Sequence, residues 1–395
     1  MDTIKVLLFI AAGICIIGWL IFSLRAAYHG MGMKMLKNML FDPSGEFPKL
    51  SVIVTARNEE HVIADDLASL LAADYPDTEF IIINDRSTDK TGEIINQFAL
   101  NDPRITPIHI KDLPLGWIGK VHALHLGTSQ ASGDWLLYTD ADIRFERETL
   151  KRSISYAEQE KLDHLSLLPD DRSQSNKLLV PLFVIAFGAM FLVRTQLRNI
   201  GKKDSLAFAG VGAFNLVRRT MLEKTPGFEW LKMEVIDDVG LGWMLKKFGA
   251  HSAVLSGQNL LSFEWYPTLR EAIMGLEKNA FAGFAGYSYW RGIATVMGMW
   301  FLVLLPLIIA VTYLNLPLFS AIIFIYYLLP GFFAVVYRRK VQTNPLFVAL
   351  IPLGYFFVSI AIAGSMIAVW KDGGIRWRET FYPLDELRKG RRVKL

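Results

Sequence analysis

One cysteine in 395 residues, Cys15, excludes any intramolecular disulfide. It also excludes a cysteine-ligated zinc site. No His-Glu-x-x-His is present, no P-loop, and no Gly-x-Gly-x-x-Gly after a strand, so none of those zinc, triphosphate or dinucleotide frameworks applies. Charge is scarce in net terms, at +4, and no dense basic stripe interleaves with aromatics. A nucleic-acid partner is therefore not expected. There is no internal repeat and no low-complexity linker, which excludes solenoids and tethered modules.

Apolar residues are what the chain has in excess. They make up 52% of it, and the mean hydropathy is +0.31. They are unevenly placed. Residues 4–24 and most of 293–370 are nearly continuous apolar sequence, whereas 48–175 alternates like an aqueous α/β domain. Ile4 to Leu24 is long enough to span a bilayer, and no convincing cleavage site follows it, so residues 1–28 read as a transmembrane anchor. Arg25, His29, Lys34 and Lys37 come next. By the positive-inside rule they place the aqueous domain in the cytoplasm of a multi-pass cell-membrane protein.

Residues 50–56, 79–83, 105–110 and 135–139 are short apolar, β-branched runs, predicted as buried strands. Helical patterns separate them: one through Val62, Leu67, Leu70 and Leu71, one carrying Ile94, Ile95 and Phe98, and one over 120–129. Ser87 or Thr88 is the expected N-cap of the second. This alternation predicts a parallel sheet covered on both faces. Ligands of such sheets bind at the carboxyl ends of strands. The polar clusters 57–60, 84–89 and 140–142 all fall there. Asp140 and Asp142 are two residues apart, so extended backbone points both to one side. Such a pair suits a hard divalent cation that also holds phosphate oxygens; a polar turn is the competing reading.

Further along, residues 178–193 are apolar but short for a crossing, and an interfacial segment is expected there, with a buried core helix as the alternative. Asp237-Asp238 opens a helical pattern ending at Gly249, where acids in the first turn also suit the helix dipole. A helix around 274–279 approaches the membrane. Apolar blocks 293–314, 316–337 and 345–370 follow, then a basic tail, 371–395. Three full crossings would leave that tail outside, although its charge favours the inside. Pro352 and Gly354 offer a re-entrant break that would reconcile the two. His122 and His125 share a helix face, with no third ligand nearby in sequence, and read as packing or phosphate-loop residues rather than metal ligands.

Five of these stretches, in order, resemble the motifs of inverting family 2 glycosyltransferases with the GT-A fold, a nucleotide-diphospho-sugar transferase fold with a Rossmann-like α/β core. Val52-Ile-Val-Thr-Ala-Arg-Asn-Glu-Glu60 is similar to the first-strand motif. Ile83-Asn-Asp-Arg-Ser-Thr-Asp89 resembles Asp-Asp-x-Ser-x-Asp, with Asn84 replacing the first Asp. Gly119-Lys120-Val-His-Ala123-Leu124 resembles the Gly-Lys-x-x-Ala-Leu helix start, and Thr139-Asp-Ala-Asp142 the metal motif. Asp237-Asp238-Val-Gly-Leu241 resembles Glu-Asp-x-x-Leu, with Asp237 replacing Glu. The resemblance covers about 48–280. Gly116-Trp-Ile-Gly-Lys120, Lys278-Asn-Ala-Phe281 and the membrane layout look closest to bacterial enzymes that glycosylate carotenoids or are associated with hopanoids, with ceramide glucosyltransferases more distant. The Gln-x-x-Arg-Trp motif of processive synthases is absent, which favours single transfers.

The resemblance implies roles. Asp142, with Asp140 sharing it or contacting the donor's ribose or sugar, holds Mg²⁺ or Mn²⁺. Lys120 meets the donor diphosphate, Glu59 and Asp85 hold the nucleoside, and Asp238 is the general base. Asp237 and Lys278 are candidate diphosphate or acceptor contacts, although a lysine near a membrane entry also snorkels. The expected donor is a UDP-sugar, and the expected acceptor a hydroxyl or carboxyl of a membrane lipid. A polyprenyl-phosphate sugar transferase or polysaccharide synthase is the competing enzyme, and an inert membrane scaffold the competing class.

Overall fold

The computed structural model describes residues 3–394 apart from residue 44, 173–177 and most of 313–344. The expected apolar block 316–337 therefore lies almost wholly outside the described residues. Apolar runs over 50–56 and 135–139 become adjacent interior strands because burial on both faces favours continuous Val, Ile and Leu. In β1, Leu50–Ala56, every residue is buried. With β2 (Thr78–Asp85), β3 (Ile105–Ile110), β4 (Trp135–Asp140), β6 (His164–Leu168), β8 (Asn215–Arg218) and β9 (Ser252–Ser256) it forms a seven-stranded sheet of order β3-β2-β1-β4-β8-β6-β9. β5 (Ile143–Phe145), β7 (Asp170–Asp171) and β10 (Leu261–Phe263) make a small second sheet, β5-β10-β7, beyond the end of β4.

The large sheet is mixed, not the all-parallel sheet that the alternation predicts. β8 runs antiparallel to both β4 and β6. After β6 the chain passes through helix Leu179–Thr195 and comes back along the loop 209–214. That loop lies beside Asp140, so β8 starts from the carboxyl end of its neighbours and must run against them. Helix Asp237–Lys247 then carries the chain to the other end, and β9 pairs with β6 in parallel.

Helix Thr91–Asn101 is not capped by Ser87 or Thr88. Asp89 accepts from Thr91 N at 3.0 Å and from Glu60 N at 3.1 Å. Ser87 and Thr88 instead face Asn58: Asn58 N donates to Ser87 Oγ at 3.0 Å, and Thr88 N donates to Asn58 Oδ1 at 2.8 Å. The loops after β1 and β2 thus use their side chains on each other, which satisfies backbone groups that no ladder reaches.

Among the described residues, four helices are long and apolar enough to cross a membrane by length and composition: Val6–Met31, Leu179–Asn199, Tyr289–Pro306 and Ile351–Asp372. Pro352 does not break the last one. It sits in the first turn, where its missing N–H costs nothing, and the helix continues for 22 residues without a re-entrant hairpin. Gly354 serves contact rather than bending: a Cβ there would lie 2.2 Å from the Leu182 carbonyl, so only glycine lets helix Ile351–Asp372 approach helix Leu179–Thr195 this closely. The chain then forms a hairpin, β11 (Gly374–Trp377) and β12 (Thr380–Pro383), that packs against the carboxyl ends of β1 and β2.

Two consequences for topology follow. β6 and β8, which flank helix Leu179–Thr195, belong to one sheet, and the hairpin touches that sheet's loops. Cysteines placed at Asn101, Lys203 and Lys389 in a Cys15→Ser background are therefore expected to react with an impermeant maleimide from one and the same side of the membrane. Labelling of Lys203→Cys or Lys389→Cys from the side opposite to Asn101→Cys would contradict this arrangement.

Candidate active site

The ends of β1, β2 and β4 open into one cavity of about 670 Å³. It is lined by Glu59, Asp85, Lys120, Asp140, Asp142, Asp237, Asp238 and Lys278, so every site residue expected from sequence faces one space. At its centre Lys120 starts helix Gly119–Gln130. Its Nζ lies 2.6 Å from Asp140 Oδ1 and 3.6 Å from Asp237 Oδ2. Burial alone would lower this lysine's pKa; the charges of Asp140, Asp237 and Asp238 raise it well above its usual range instead. Conversely, burial raises Asp237 and Asp238, with Lys120 opposing.

Asp238 is held by two amides. Gly212 N donates to Oδ2 at 3.1 Å and Val239 N to Oδ1 at 2.8 Å. The loop before β8 reaches this position because it is glycine-rich. A Cβ on Gly212 would lie 2.7 Å from Asp140 Oδ2, and one on Gly210 would lie 1.8 Å from the Asp238 carbonyl oxygen. Sequence reading missed this Gly-Val-Gly loop, although two glycines just before a strand signal a close backbone approach.

Asp142 is half-buried, and no lysine or arginine pairs with it among the described residues. Burial, then the Asp140 charge, raises its pKa. Among the described residues, no group of three His, Cys, Asp or Glu side chains forms a metal cage. Asp140 and Asp142 can hold a cation only if it draws other ligands from water or a bound oxyanion. That fits Mg²⁺ or Mn²⁺, which bind through one or two carboxylates plus substrate phosphates. His122 and His125 do not face each other as ligands; both rings pack on Trp117, at 5.5 and 5.0 Å between centroids.

Asp85 is clamped by Arg86, whose Nε and Nη2 donate at 2.7 and 3.1 Å. Lys278 does not snorkel away from the site. It lines the cavity with its Nζ 4.4 Å above the Trp377 ring, and burial, then Lys120 and Arg378, lowers its pKa to about 8. Glu59 pairs with Arg378 at 2.9 Å, yet burial outweighs that pair and raises its pKa to about 7.

The hairpin residues Trp377, Arg378, Thr380 and Tyr382 are the second group that sequence reading missed. Thr380 Oγ1 accepts from Arg86 Nη1 at 3.2 Å, and Tyr382 Oη accepts from Gly119 N at 3.2 Å. Arg378 and Glu379 form a two-residue turn at φ 45° and 68°, in the left-handed region. For non-glycine residues that costs about 1–2 kcal/mol each. The ion pairs they make, Arg378–Glu59 at 2.9 Å and Glu379–Arg57 at 3.6 Å, each join a more exposed hairpin side chain to a partner that is 22% or 5% exposed. The cavity's other end is apolar: Phe187, Met190 and Phe191 of helix Leu179–Thr195 meet Trp265, Leu276 and Phe284.

Residues 51–225 match the model of "Glycosyl transferase family 2". The 4,4'-diaponeurosporenoate glycosyltransferase of Staphylococcus aureus (strain USA300) is 23% identical over 352 residues, 85% of this chain and 89% of that protein. The poly-beta-1,6-N-acetyl-D-glucosamine synthase of Staphylococcus epidermidis is 27% identical over 202 residues, 50% of this chain. The match spans about half the length of that relative, 46%. Among solved structures, the mannosyltransferase PcManGT from Pyrobaculum calidifontis, in complex with GDP-Man and Mn²⁺, superposes with a TM-score of 0.57 at 16% identity, over 92% of this chain and 98% of that one. That likeness shows the fold.

Because folding moves Glu59 from the ordinary carboxylate range up to about 7, the folded state binds its proton more tightly than the unfolded chain. Its contribution to stability therefore becomes unfavourable as pH rises from about 4.5 through 7. Glu59→Gln is expected to raise the thermal midpoint at pH 8, by on the order of 1–3 kcal/mol in stability, and to leave it unchanged at pH 4. An equal effect at both pH values would show that the site does not perturb Glu59.

Proposed function

We propose that this chain, which carries a family 2 glycosyltransferase domain on a GT-A fold, transfers one sugar from a nucleotide-sugar donor to a membrane-lipid acceptor, with inversion and with a divalent cation. One observation carries the reading: a single cavity has carboxylates and Lys120 at one end and an aromatic, aliphatic lining from the apolar helices at the other. The apolar stretch of the lining favours a lipid acceptor over the polar glycan of a polysaccharide synthase. The GDP-Man and Mn²⁺ of the Pyrobaculum structure support the donor and cation. The name of the Staphylococcus aureus relative supports a polyene acceptor class.

In this reading Glu59 and Asp85 accept from nucleoside hydroxyls or base N–H groups, and Arg86 keeps Asp85 in place. Lys120, at a helix N-terminus, adds charge and dipole to the diphosphate side. Asp140 and Asp142 hold the cation, which when bound supplies Lewis-acid stabilisation to the leaving diphosphate. Asp238, oriented by Gly212 N and Val239 N, takes the acceptor hydroxyl's proton as that oxygen forms its bond to the anomeric carbon. The bond from that carbon to the diphosphate oxygen breaks in the same displacement, so configuration inverts. Burial raises the basicity of Asp238, which helps a carboxylate do this work near neutral pH. The acceptor reaches Asp238 along the apolar end. Helix Leu179–Thr195 borders that end, and the return of its two flanks to one sheet supports an interfacial placement for it.

Asp238→Asn is expected to keep nucleotide affinity and lose about 10²–10⁴-fold in sugar transfer, read as donor-dependent UDP or GDP release with lipid extract. Loss of binding and transfer together would make Asp238 a helix cap instead. Asp142→Ala is expected to erase the gain in nucleotide affinity that Mn²⁺ or Mg²⁺ gives the wild type. A variant that retains the gain would remove Asp142 from the cation site.

A further inference from the structure

The tip of the C-terminal hairpin is chemically out of place. A two-residue loop with both residues at positive φ selects Asn-Gly or Asp-Gly, yet Arg378-Glu379 occupies it. Both side chains are directed at Glu59 and Arg57, which line the cavity. Strain of this kind collects at functional positions.

The hairpin's polar contacts converge on the loops that end β1 and β2 and on the start of the helix bearing Lys120. Arg378 meets Glu59, Glu379 meets Arg57, Thr380 meets Arg86, and Tyr382 meets Gly119 N. Trp377 lies against Lys278. Among the cavity's other cations, Lys120 is committed to Asp140 and Asp237, and Arg57 and Arg86 to Asp85, while Arg194 sits on the apolar helix Leu179–Thr195. Lys278 is buried, and burial, then the charges of Lys120 and Arg378, weakens its hold on a proton. Arg378 faces Glu59, a carboxylate that burial itself disfavours as an anion, and its side chain is 42% exposed. A planar guanidinium binds phosphate oxygens in bidentate fashion.

We infer that Arg378 is a donor ligand: the hairpin carries its guanidinium into the nucleotide-sugar site, where it exchanges Glu59 for the donor diphosphate. The inference rests on the glycosyltransferase reading of the cavity. It assigns to a segment beyond the last apolar helix, outside the matched domain, the completion of the donor site. No covalent change is involved. The exchange frees Glu59 for the nucleoside and closes the hairpin over the diphosphate.

The test uses full-length protein in nanodiscs with Mn²⁺. The double variant Arg378→Asn, Glu379→Gly installs the residues that this turn favours, so the hairpin stays folded while the guanidinium is lost. Calorimetric titrations compare whichever of UDP or GDP binds the wild type with the corresponding nucleoside. The double variant is expected to lose about tenfold or more in diphosphate affinity and to change nucleoside affinity less than about twofold. Arg378→Lys is expected to fall between. Diphosphate affinity equal to wild type in the double variant overturns the role of Arg378 and leaves the glycosyltransferase reading standing. A nucleoside loss as large as the diphosphate loss overturns the diphosphate assignment. A wild type that binds neither UDP nor GDP overturns both readings.

Discussion

Lys120 is the charge on which the rest of the site depends. Asp140, Asp237 and Asp238 come from the end of β4 and the start of helix Asp237–Lys247, and burial pushes Asp237 and Asp238 towards their neutral forms, which a cation beside them opposes. Lys120 supplies it from the first turn of a third element. Desolvating such a cluster is costly, and only good geometry makes it tolerable. The geometry is good because both Gly210 and Gly212 lack a side chain where one would strike Asp238 or Asp140. Two glycines, one lysine and three aspartates thus set one another's positions.

That cluster also ties the aqueous domain to the apolar helices. Helix Leu269–Ala280 begins with a Thr268 cap on Glu271 N and brings Lys278 to the cavity. Its last residues meet helix Ile351–Asp372, where Ser365 Oγ accepts from Phe281 N at 3.1 Å and donates to the Glu277 carbonyl. Helix Ile351–Asp372 in turn touches helix Leu179–Thr195 at Gly354 and leads directly into the hairpin that returns to Glu59. An apolar substrate and a charged donor can therefore occupy one continuous space, with the reacting atoms meeting at the boundary between its two linings.

Much of this was legible before any coordinates. The strands at 50–56 and 135–139 declare themselves by burial-driven composition, and the acids at 59, 85, 140 and 142 stand where such strands end. Three things were not legible. The direction of β8 depends on which end of the sheet the chain re-enters, and four residues of strand composition carry no arrow. Ser87 and Thr88 do not cap helix Thr91–Asn101 because Asn58, 30 residues from Thr88, engages both, and Asp89 accepts from Thr91 N instead. Arg378 lies 319 residues from Glu59, in a segment whose basic composition read as an ordinary membrane-flanking tail.

The sequence by itself determined which residues are acidic at strand ends, which segments are apolar enough to need a bilayer or a core, and hence the class of fold and of chemistry. Those properties are local: composition and period act within a few residues. Tertiary structure alone decided that Lys120 sits among three carboxylates, that an apolar lining joins the polar site, and that the chain's last hairpin closes on its first strand. Such facts depend on which distant segments share a space, and that is set by packing around the sheet rather than by any spacing along the chain.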